Sequence, residues 1–202
     1  MHDTMISWLG ITKFGDAVVM LPAAMGITAW LAATGMRQMA LWWFALFSIA
    51  STLVAITKIA FIGWGIGSAA LDFTGISGHS TFAAAVIPTL FFIALPSASS
   101  RGRMLGVGTG IIFALLVGVS RLEVHAHSAS EVIAGCTLGF AVSIGFMRIT
   151  RAHALPALPP LAAACIGGVL LAASFAQAAP THDWISDIAL LLSGHEQPFR
   201  RH

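Results

Sequence analysis

A histidine and a carboxylate four residues apart form the strongest candidate for chemistry in this sequence. His127 and Glu131 stand just before and at the start of an apolar run. Residues four apart share one face of a helix, so the carboxylate can hold the imidazole in a single tautomer. An imidazole that is oriented in this way is a candidate nucleophile.

Other polar residues stand at the ends of neighbouring apolar runs and suit a phosphate group. Ser77 and Gly78 precede such a run, where free N–H groups and the positive end of a helix dipole favour an anion. His79 follows them and is placed to protonate a leaving oxygen. Lys58 and Arg121 would supply fixed positive charge, and a guanidinium can bind two phosphate oxygens at once. Together these residues indicate phosphoryl chemistry.

Each of these residues also has a purely structural explanation when it is taken alone. Ser77 can simply cap a helix, and Glu131 can stabilise the start of one. Lys58 and Arg121 can be anchors that extend to the lipid head groups. Because all of them stand at the ends of neighbouring apolar runs, their joint occurrence favours a shared site.

The composition places most of this chain in lipid. Of its 202 residues 57% are hydrophobic and only 9% are charged, whereas soluble domains carry about 25% charged residues. A soluble core of this size could not bury so much apolar surface. The net charge of +2 is small and scattered, which excludes a nucleic-acid partner. Cys136 and Cys165 lie in apolar segments and are interpreted as small core residues.

Six uncharged runs are long enough, or nearly so, to cross a hydrocarbon core of about 30 Å as helices. Between the second and third runs, Lys58 to His79 contains five glycines and predicts a helix extension followed by an irregular loop. Residues 5–11 and Trp184 to Leu192 are expected to lie along the membrane surface. The predicted fold is an all-α, polytopic, six-transmembrane-helix bundle that forms a single domain over residues 1–202. The predicted spans are Ala17–Ala33, Ala40–Thr57, Ser80–Ser100, Met104–Ser120, Val132–Met147, and Ala154 to about Ala179.

Charge is distributed unequally between the two ends of such a bundle. If the helices alternate, one end carries five arginines and no acid, and the other end carries all eight carboxylates. The positive-inside rule makes the arginine end cytoplasmic. The expected location is therefore the inner membrane, with the site and both termini on the outer, periplasmic face. The five arginines are Arg37, Arg101, Arg103, Arg148 and Arg151.

At these residues the sequence resembles the type 2 phosphatidic acid phosphatase (PAP2) family, which also includes vanadium haloperoxidases. The family has three motifs: a lysine followed seven residues later by Arg-Pro, then Pro-Ser-Gly-His, then Ser-Arg-x5-His-x3-Asp. The resemblance runs from Lys58 to about Gly139, and the third motif keeps the family spacing from arginine to histidine to carboxylate. The matching residues are Lys58, Ile76-Ser77-Gly78-His79, and Ser120-Arg121 with His127 and Glu131.

The resemblance implies a metal-independent lipid-phosphate phosphatase that works through a phosphohistidine and needs no cofactor. His127 would be the nucleophile, Glu131 its partner and His79 the acid/base. The substrate in the bilayer would be an isoprenoid pyrophosphate, phosphatidylglycerol phosphate, phosphatidic acid or a lipid A phosphate. The oligomeric state is not indicated. The implied phosphate-binding residues are Lys58, Ser77, Gly78, Ser120 and Arg121.

Three departures from the family motifs bear on this interpretation. Glu131 replaces aspartate and lengthens the arm by one methylene. Ile76 replaces proline, which only loosens a turn. Gly65 stands where the first motif has arginine, so a phosphate clamp is missing and binding would be weaker or directed to another head group. His125 could partly substitute, although a loop histidine without a role is the favoured interpretation.

Three alternative functions remain open from the sequence. The same phosphohistidine could pass its phosphate to another lipid, which would make the protein a phosphotransferase. Gly75-Ile76-Ser77-Gly78 resembles the Gly-x-Ser-Gly of rhomboid proteases, with His127 as the catalytic histidine, but this gives the cations no task. A non-catalytic lipid-binding or transport protein is the third alternative, and it rests only on the changes at positions 65 and 131.

Overall fold

Helices make up almost all of the regular structure. The computed structural model describes residues 8–95, 99–153, 155–156, 167–168 and 181–200. Over this part of the chain there is no strand, and β-structure is limited to an isolated bridge between Ser68 and Phe73. Residues 8–12 are helical, and 3-10 turns cover Lys13–Gly15 and Ala69–Leu71. The main helices are α1 (Ala17–Ala33), α2 (Arg37–Trp64), α3 (Gly78–Ala94), α4 (Ser100–Glu123), α5 (Ala129–Thr150) and α6 (Thr181–Ser193).

Among the described residues, four segments are long and apolar enough to cross a membrane, and α3 is a shorter apolar helix. Their outer surfaces carry large apolar side chains, for example Leu41 and Leu105, which are 68% and 70% exposed. Exposed apolar surface of this extent is stable against lipid tails and not against water. The chain is therefore a multi-pass membrane protein. The four segments are Trp8–Ala33, Arg37–Trp64, Ser100–Glu123 and Ala129–Thr150.

The predicted count of six spans is only partly reproduced. The first predicted span coincides with α1, and α2, α4 and α5 contain the second, fourth and fifth. The sixth predicted span, Ala154 to about Ala179, lies almost entirely outside the described residues. The sixth described helix, α6, instead covers the segment 184–192 that was expected at the membrane surface.

Helix α3 occupies the centre of the bundle and packs most extensively against α4 and α5. The surface that α3 packs against its neighbours contains small residues, and Ala83, Ala84 and Ala85 are completely buried. Gly135 and Gly139 of α5 lie directly against the backbone of α3, the close approach that small residues permit between membrane helices. The expectation that this span reaches Ser100 was wrong. The helix ends at Ala94, because a proline at position 96 disfavours helical backbone in the residue before it.

Alternation of the helices brings four polar helix ends to one end of the bundle. The end of α2, the start of α3, the end of α4 and the start of α5 meet there, next to the segment before α1. A hydrogen bond and close backbone packing fix the connection from α2 to α3. Gly65 ends α2 in a left-handed conformation, with φ of 68°. The N–H of Ile76 donates to Thr57 Oγ1 at 3.1 Å, and Gly75, with φ of 153°, lies against the backbone and stem of Lys58.

Helix α6 and the residues after it pack against this same end of α2. Gly63 lies against Ala189 and Ser193 of α6. The outward side of α6 is apolar, with Trp184 58% and Leu191 83% exposed, as expected for a helix that lies at a membrane interface.

Candidate active site

A cavity of about 1350 Å³ opens at this end of the bundle. It is lined by residues from the segment before α1, from the ends of α2 to α5, from α6, and from the tail that follows α6 (residues 194–200). The polar helix ends that the sequence singles out therefore share one space. The predicted site residues in its lining are Lys58, Gly78, His79, Arg121, His127 and Glu131.

His127 and Glu131 are in direct contact. Nδ1 of His127 lies 2.6 Å from Oε2 of Glu131. Since a carboxylate only accepts hydrogen bonds, Nδ1 carries the hydrogen and Nε2 keeps its lone pair. The local sequence explains this geometry. Ser128 is the N-cap of α5 and Glu131 completes a capping box with it, which places His127 immediately before the first helical turn.

Glu131 is completely buried, yet its carboxylate is well supplied with donors. Oε1 accepts from the N–H of Thr74 at 2.8 Å and from the Thr74 hydroxyl. Oε2 accepts from His127 and from the N–H of Ser128 at 3.2 Å. Burial of a charge is costly unless hydrogen bonds satisfy it, and these four do so. No sequence pattern indicates Thr74, because its contact with Glu131 spans 57 residues and belongs to no motif.

The imidazole of His127 is tuned toward its neutral form. Burial lowers the pKa of His127 below its usual value of 6.5, and the positive charges of Lys58 and Arg121 act in the same direction. The hydrogen bond and negative charge of Glu131 act in the opposite direction, but burial has the larger effect. A neutral ring with a free Nε2 lone pair is the form that can attack an electrophile.

His79 faces the same cavity from the first turn of α3. The carboxylate oxygen Oδ2 of Asp16 lies 3.7 Å from its Nε2, close enough for an ion pair when the ring is protonated. Asp16 also accepts a hydrogen bond from the N–H of Val18 and so caps α1. No sequence pattern indicates this pairing, since an acid immediately before a span is equally well explained as a cap.

Lys58 and Arg121 line the cavity together with the two histidines. Gly75 lies against the backbone and the stem of Lys58. Arg121 donates from a terminal nitrogen to Thr12 Oγ1 at 2.8 Å. Within the described residues its Nε is buried and has no hydrogen-bond partner. A buried, unpartnered guanidinium donor beside a cavity suits an anionic ligand.

Ser77 and Ser120 are buried near the site but do not line the cavity. Ser77 is the N-cap of α3, and its Oγ lies 3.0 Å from that of Ser80. The hydroxyl of Ser120 donates to Val117 O of its own helix at 2.6 Å. Their phosphate-binding roles therefore stay predictions. The hydroxyl of Ser77 is directed to Ser80 and the imidazole of His127 to Glu131, an arrangement that does not favour the serine-protease alternative.

The missing arginine of the first motif has a clear structural context. Gly65 is the left-handed cap of α2, and the ring of Phe199 packs over it, 3.0 Å from where a Cβ would stand. His125 does not fill the gap, since it is exposed and its Nδ1 lies 2.9 Å from the carbonyl of Glu123. It is not part of the cavity lining.

A cavity at one end of a helical membrane bundle, lined by His79, His127, the buried Glu131 and the cations Lys58 and Arg121, defines a class of helical membrane protein that is suited to phosphoester chemistry. The model of the PAP2 superfamily matches residues 61–154, which include His79, Arg121, His127 and Glu131 but not Lys58. The chain belongs to the PAP2 superfamily. This membership supports the assignment of a phosphoester hydrolase.

The chain is also similar to a curated protein along nearly its whole length. It is 36% identical over 201 residues to an uncharacterised 22.5 kDa protein in the cps region of Klebsiella pneumoniae. The match covers 97% of this chain and 96% of the relative. No solved structure matches the chain significantly.

Proposed function

We propose that this protein is a membrane lipid-phosphate phosphatase that forms a phosphohistidine on His127. The observation that carries the proposal is the 2.6 Å contact between His127 Nδ1 and the buried carboxylate of Glu131, in a cavity that also contains Lys58 and Arg121. The contact presents a nucleophilic Nε2 to the space where the two cations would bind a phosphate.

In the first chemical step, the Nε2 lone pair of His127 attacks the phosphorus atom of the substrate. The bond from phosphorus to the lipid oxygen breaks, and its electron pair goes to that oxygen. His79 donates a proton to the departing oxygen. Lys58 and Arg121 stabilise the negative charge of the equatorial phosphate oxygens, and Glu131 stabilises the positive ring of the phosphohistidine.

In the second step, a water molecule attacks the phosphorus atom while His79 accepts a proton from it. The N–P bond breaks and its electron pair returns to Nε2 of His127. Inorganic phosphate leaves and His79 is again protonated. One histidine thus acts first as an acid and then as a base, a dual role that Asp16 supports through its position 3.7 Å from Nε2.

A lipid substrate is supported by the position and walls of the cavity. The lining follows α2 from Lys58 back to Val54 and Ser51, about 10 Å toward the middle of the helix at 1.5 Å per residue. Leu21 and Phe82 also belong to the lining. We propose that the phosphate lies at the polar end and that the apolar tail extends along these residues, with the site on the periplasmic face of the inner membrane.

The test is phosphate release by the purified protein in detergent micelles. The panel contains phosphatidic acid, phosphatidylglycerol phosphate, an isoprenoid pyrophosphate and a lipid A phosphate. We expect release from at least one of these substrates, inhibition by orthovanadate, and no release by the His127→Ala variant. Failure of the wild-type protein to release phosphate from every lipid would contradict the hydrolase proposal. Transfer of labelled phosphate to an acceptor lipid, without release, would identify a phosphotransferase.

A further inference from the structure

We infer that Arg200, in the tail after α6, is a phosphate-binding residue of the cavity. The inference rests on the proposed function, since it assigns a further ligand to the same phosphate. Arg200 belongs to the cavity lining together with Lys58, Arg121 and His127. It stands more than 130 residues after Lys58 in the chain, so no local spacing indicates it.

The backbone of the tail is fixed in place beside the end of α2. The N–H of Phe199 donates to the carbonyl of Ile62 at 3.0 Å. Nδ1 of His195 lies 2.7 Å from the carbonyl of Gly63, and the rings of His195 and Phe199 meet edge to face at 5.7 Å between centroids. These carbonyls belong to the last turn of α2, where they have no partner within the helix. The tail therefore satisfies the end of α2 while it carries Arg200 to the cavity.

The contact between Phe199 and Gly65 fixes the position of the backbone from which the Arg200 side chain extends. The Phe199 ring covers the glycine, whose left-handed backbone favours the absence of a side chain. The backbone of Arg200 follows directly after this contact. The side chain of Arg200 therefore extends from a point beside Gly65, which lies about two helical turns after Lys58 in the chain.

The charge balance of the cavity favours an anion that interacts with all its cations. Among the described residues, the lining contains four lysines and arginines and two carboxylates. Glu131 already accepts four hydrogen bonds, and Asp16 accepts the N–H of Val18 and lies beside His79. An excess of two positive charges matches a dianionic phosphate group. The basic residues are Lys13, Lys58, Arg121 and Arg200.

The experiment compares Arg200→Ala with Gln197→Ala, a change at an exposed tail position outside the cavity lining. We expect the KM for the lipid phosphate and the inhibition constant of orthovanadate to rise about tenfold or more in Arg200→Ala, the size of a lost charge-assisted hydrogen bond. The value of kcat should change much less, and Gln197→Ala should match the wild type. Arg200→Lys should recover part of the loss, because it keeps the charge without the planar fork.

The outcomes separate this inference from the proposed function. If wild-type protein is active and Arg200→Ala has an unchanged KM and an unchanged vanadate inhibition constant, the inference is wrong while the phosphatase proposal stands. If wild-type protein releases no phosphate, orthovanadate binding measured by calorimetry decides the inference by itself. Equal vanadate affinity of the wild type and Arg200→Ala would then overturn it, and a tenfold weaker affinity of the variant would support it.

Discussion

The two sides of the cavity are built in different ways. The catalytic side, formed by Thr74, His127 and Glu131 at the starts of α3 and α5, is held by four hydrogen bonds to one buried carboxylate. The access side, formed by residues 8–21, α6 and the tail, is fixed by separate hydrogen bonds to different elements. These bonds join Arg121 to Thr12, the N–H of Phe199 to Ile62 O, and Nδ1 of His195 to Gly63 O. The difference indicates that the proposed reacting groups are held together by one buried network, whereas the access side is held by several independent contacts.

The largest effect should come from the catalytic side. We expect His127→Ala to reduce turnover at least about a thousandfold, since it removes the proposed nucleophile. His125→Ala is the matched control, because this histidine is exposed and lies outside the cavity lining. Phosphate release measures the effect, and circular dichroism reports whether the helices remain. Similar losses in both variants would break the distinction between the two positions.

A smaller loss, about a hundredfold, is expected for Glu131→Gln. The amide keeps the shape of the carboxylate. Its NH₂ group, however, cannot accept the hydrogen bonds that one of the two carboxylate oxygens accepts. A buried mismatch of this kind should also lower the free energy of unfolding by about 1–3 kcal/mol. Glu123→Gln, at an exposed position near the end of α4, serves as the control. Full activity in Glu131→Gln would show that the network is not needed to orient His127.

The pH dependence of activity tests the protonation state proposed for His127 on the catalytic side. Burial lowers the pKa of His127, so the acidic limb of kcat/KM should lie below pH 6.5. Activity should fall as pH decreases through that limb, because protonation removes the Nε2 lone pair of His127. It should fall again at higher pH, where His79 loses the proton that it donates to the leaving oxygen. In Glu131→Gln the influence that raises the pKa is lost, so the ring should titrate at still lower pH. NMR titration of the His127 ring checks this, and an upward shift would contradict it.

On the access side, Asp16→Asn should have a moderate effect, about three- to tenfold on kcat. The variant removes the charge beside His79 but preserves an oxygen that can still cap α1. Asp72→Asn is a suitable control in the α2–α3 connection, outside the cavity lining. The measurement is the steady-state rate over a range of pH. A loss as large as that of His127→Ala would place Asp16 with the catalytic side.

The smallest effect is expected for Ser120→Ala, less than about threefold on kcat/KM. The Ser120 hydroxyl donates to Val117 O within α4, and Ser120 is outside the cavity lining. Thr109→Ala offers a control, since its hydroxyl donates in the same way to Leu105 O at an exposed position of the same helix. A loss greater than tenfold for Ser120→Ala alone would mean that its hydroxyl turns to the phosphate during the reaction.

Hydropathy predicted the fold well where charged residues or turns interrupt the apolar runs. The span α1 could be predicted to the residue because Asp16 and the turn at Gly35 bound it. The end of α3 could not, since the apolar composition continues past Ala94 and only the proline at position 96 stops the helix. Hydropathy also could not tell that α3 is buried by its neighbours, because protein and lipid surroundings are equally apolar.

The candidate site divides in a similar way. Motif spacing predicted the residues that meet within one turn or across adjacent helix ends, such as His127 with Glu131. It could not predict Thr12 beside Arg121, separated by 109 residues, or Thr74 beside Glu131. Such partners are chosen by the packing of distant segments, for which a single sequence gives no local signal.

The capping box at the start of α5 gives a physical meaning to the glutamate at position 131. Its side chain reaches back to the N–H of Ser128, as this cap requires of a glutamate or glutamine, and the same oxygen binds the imidazole of His127. An aspartate, shorter by one methylene, would have to give up part of this span. Formation of the first turn and orientation of the His127 ring are consequently a single event, so any sequence change at this position must satisfy the helix and the histidine together.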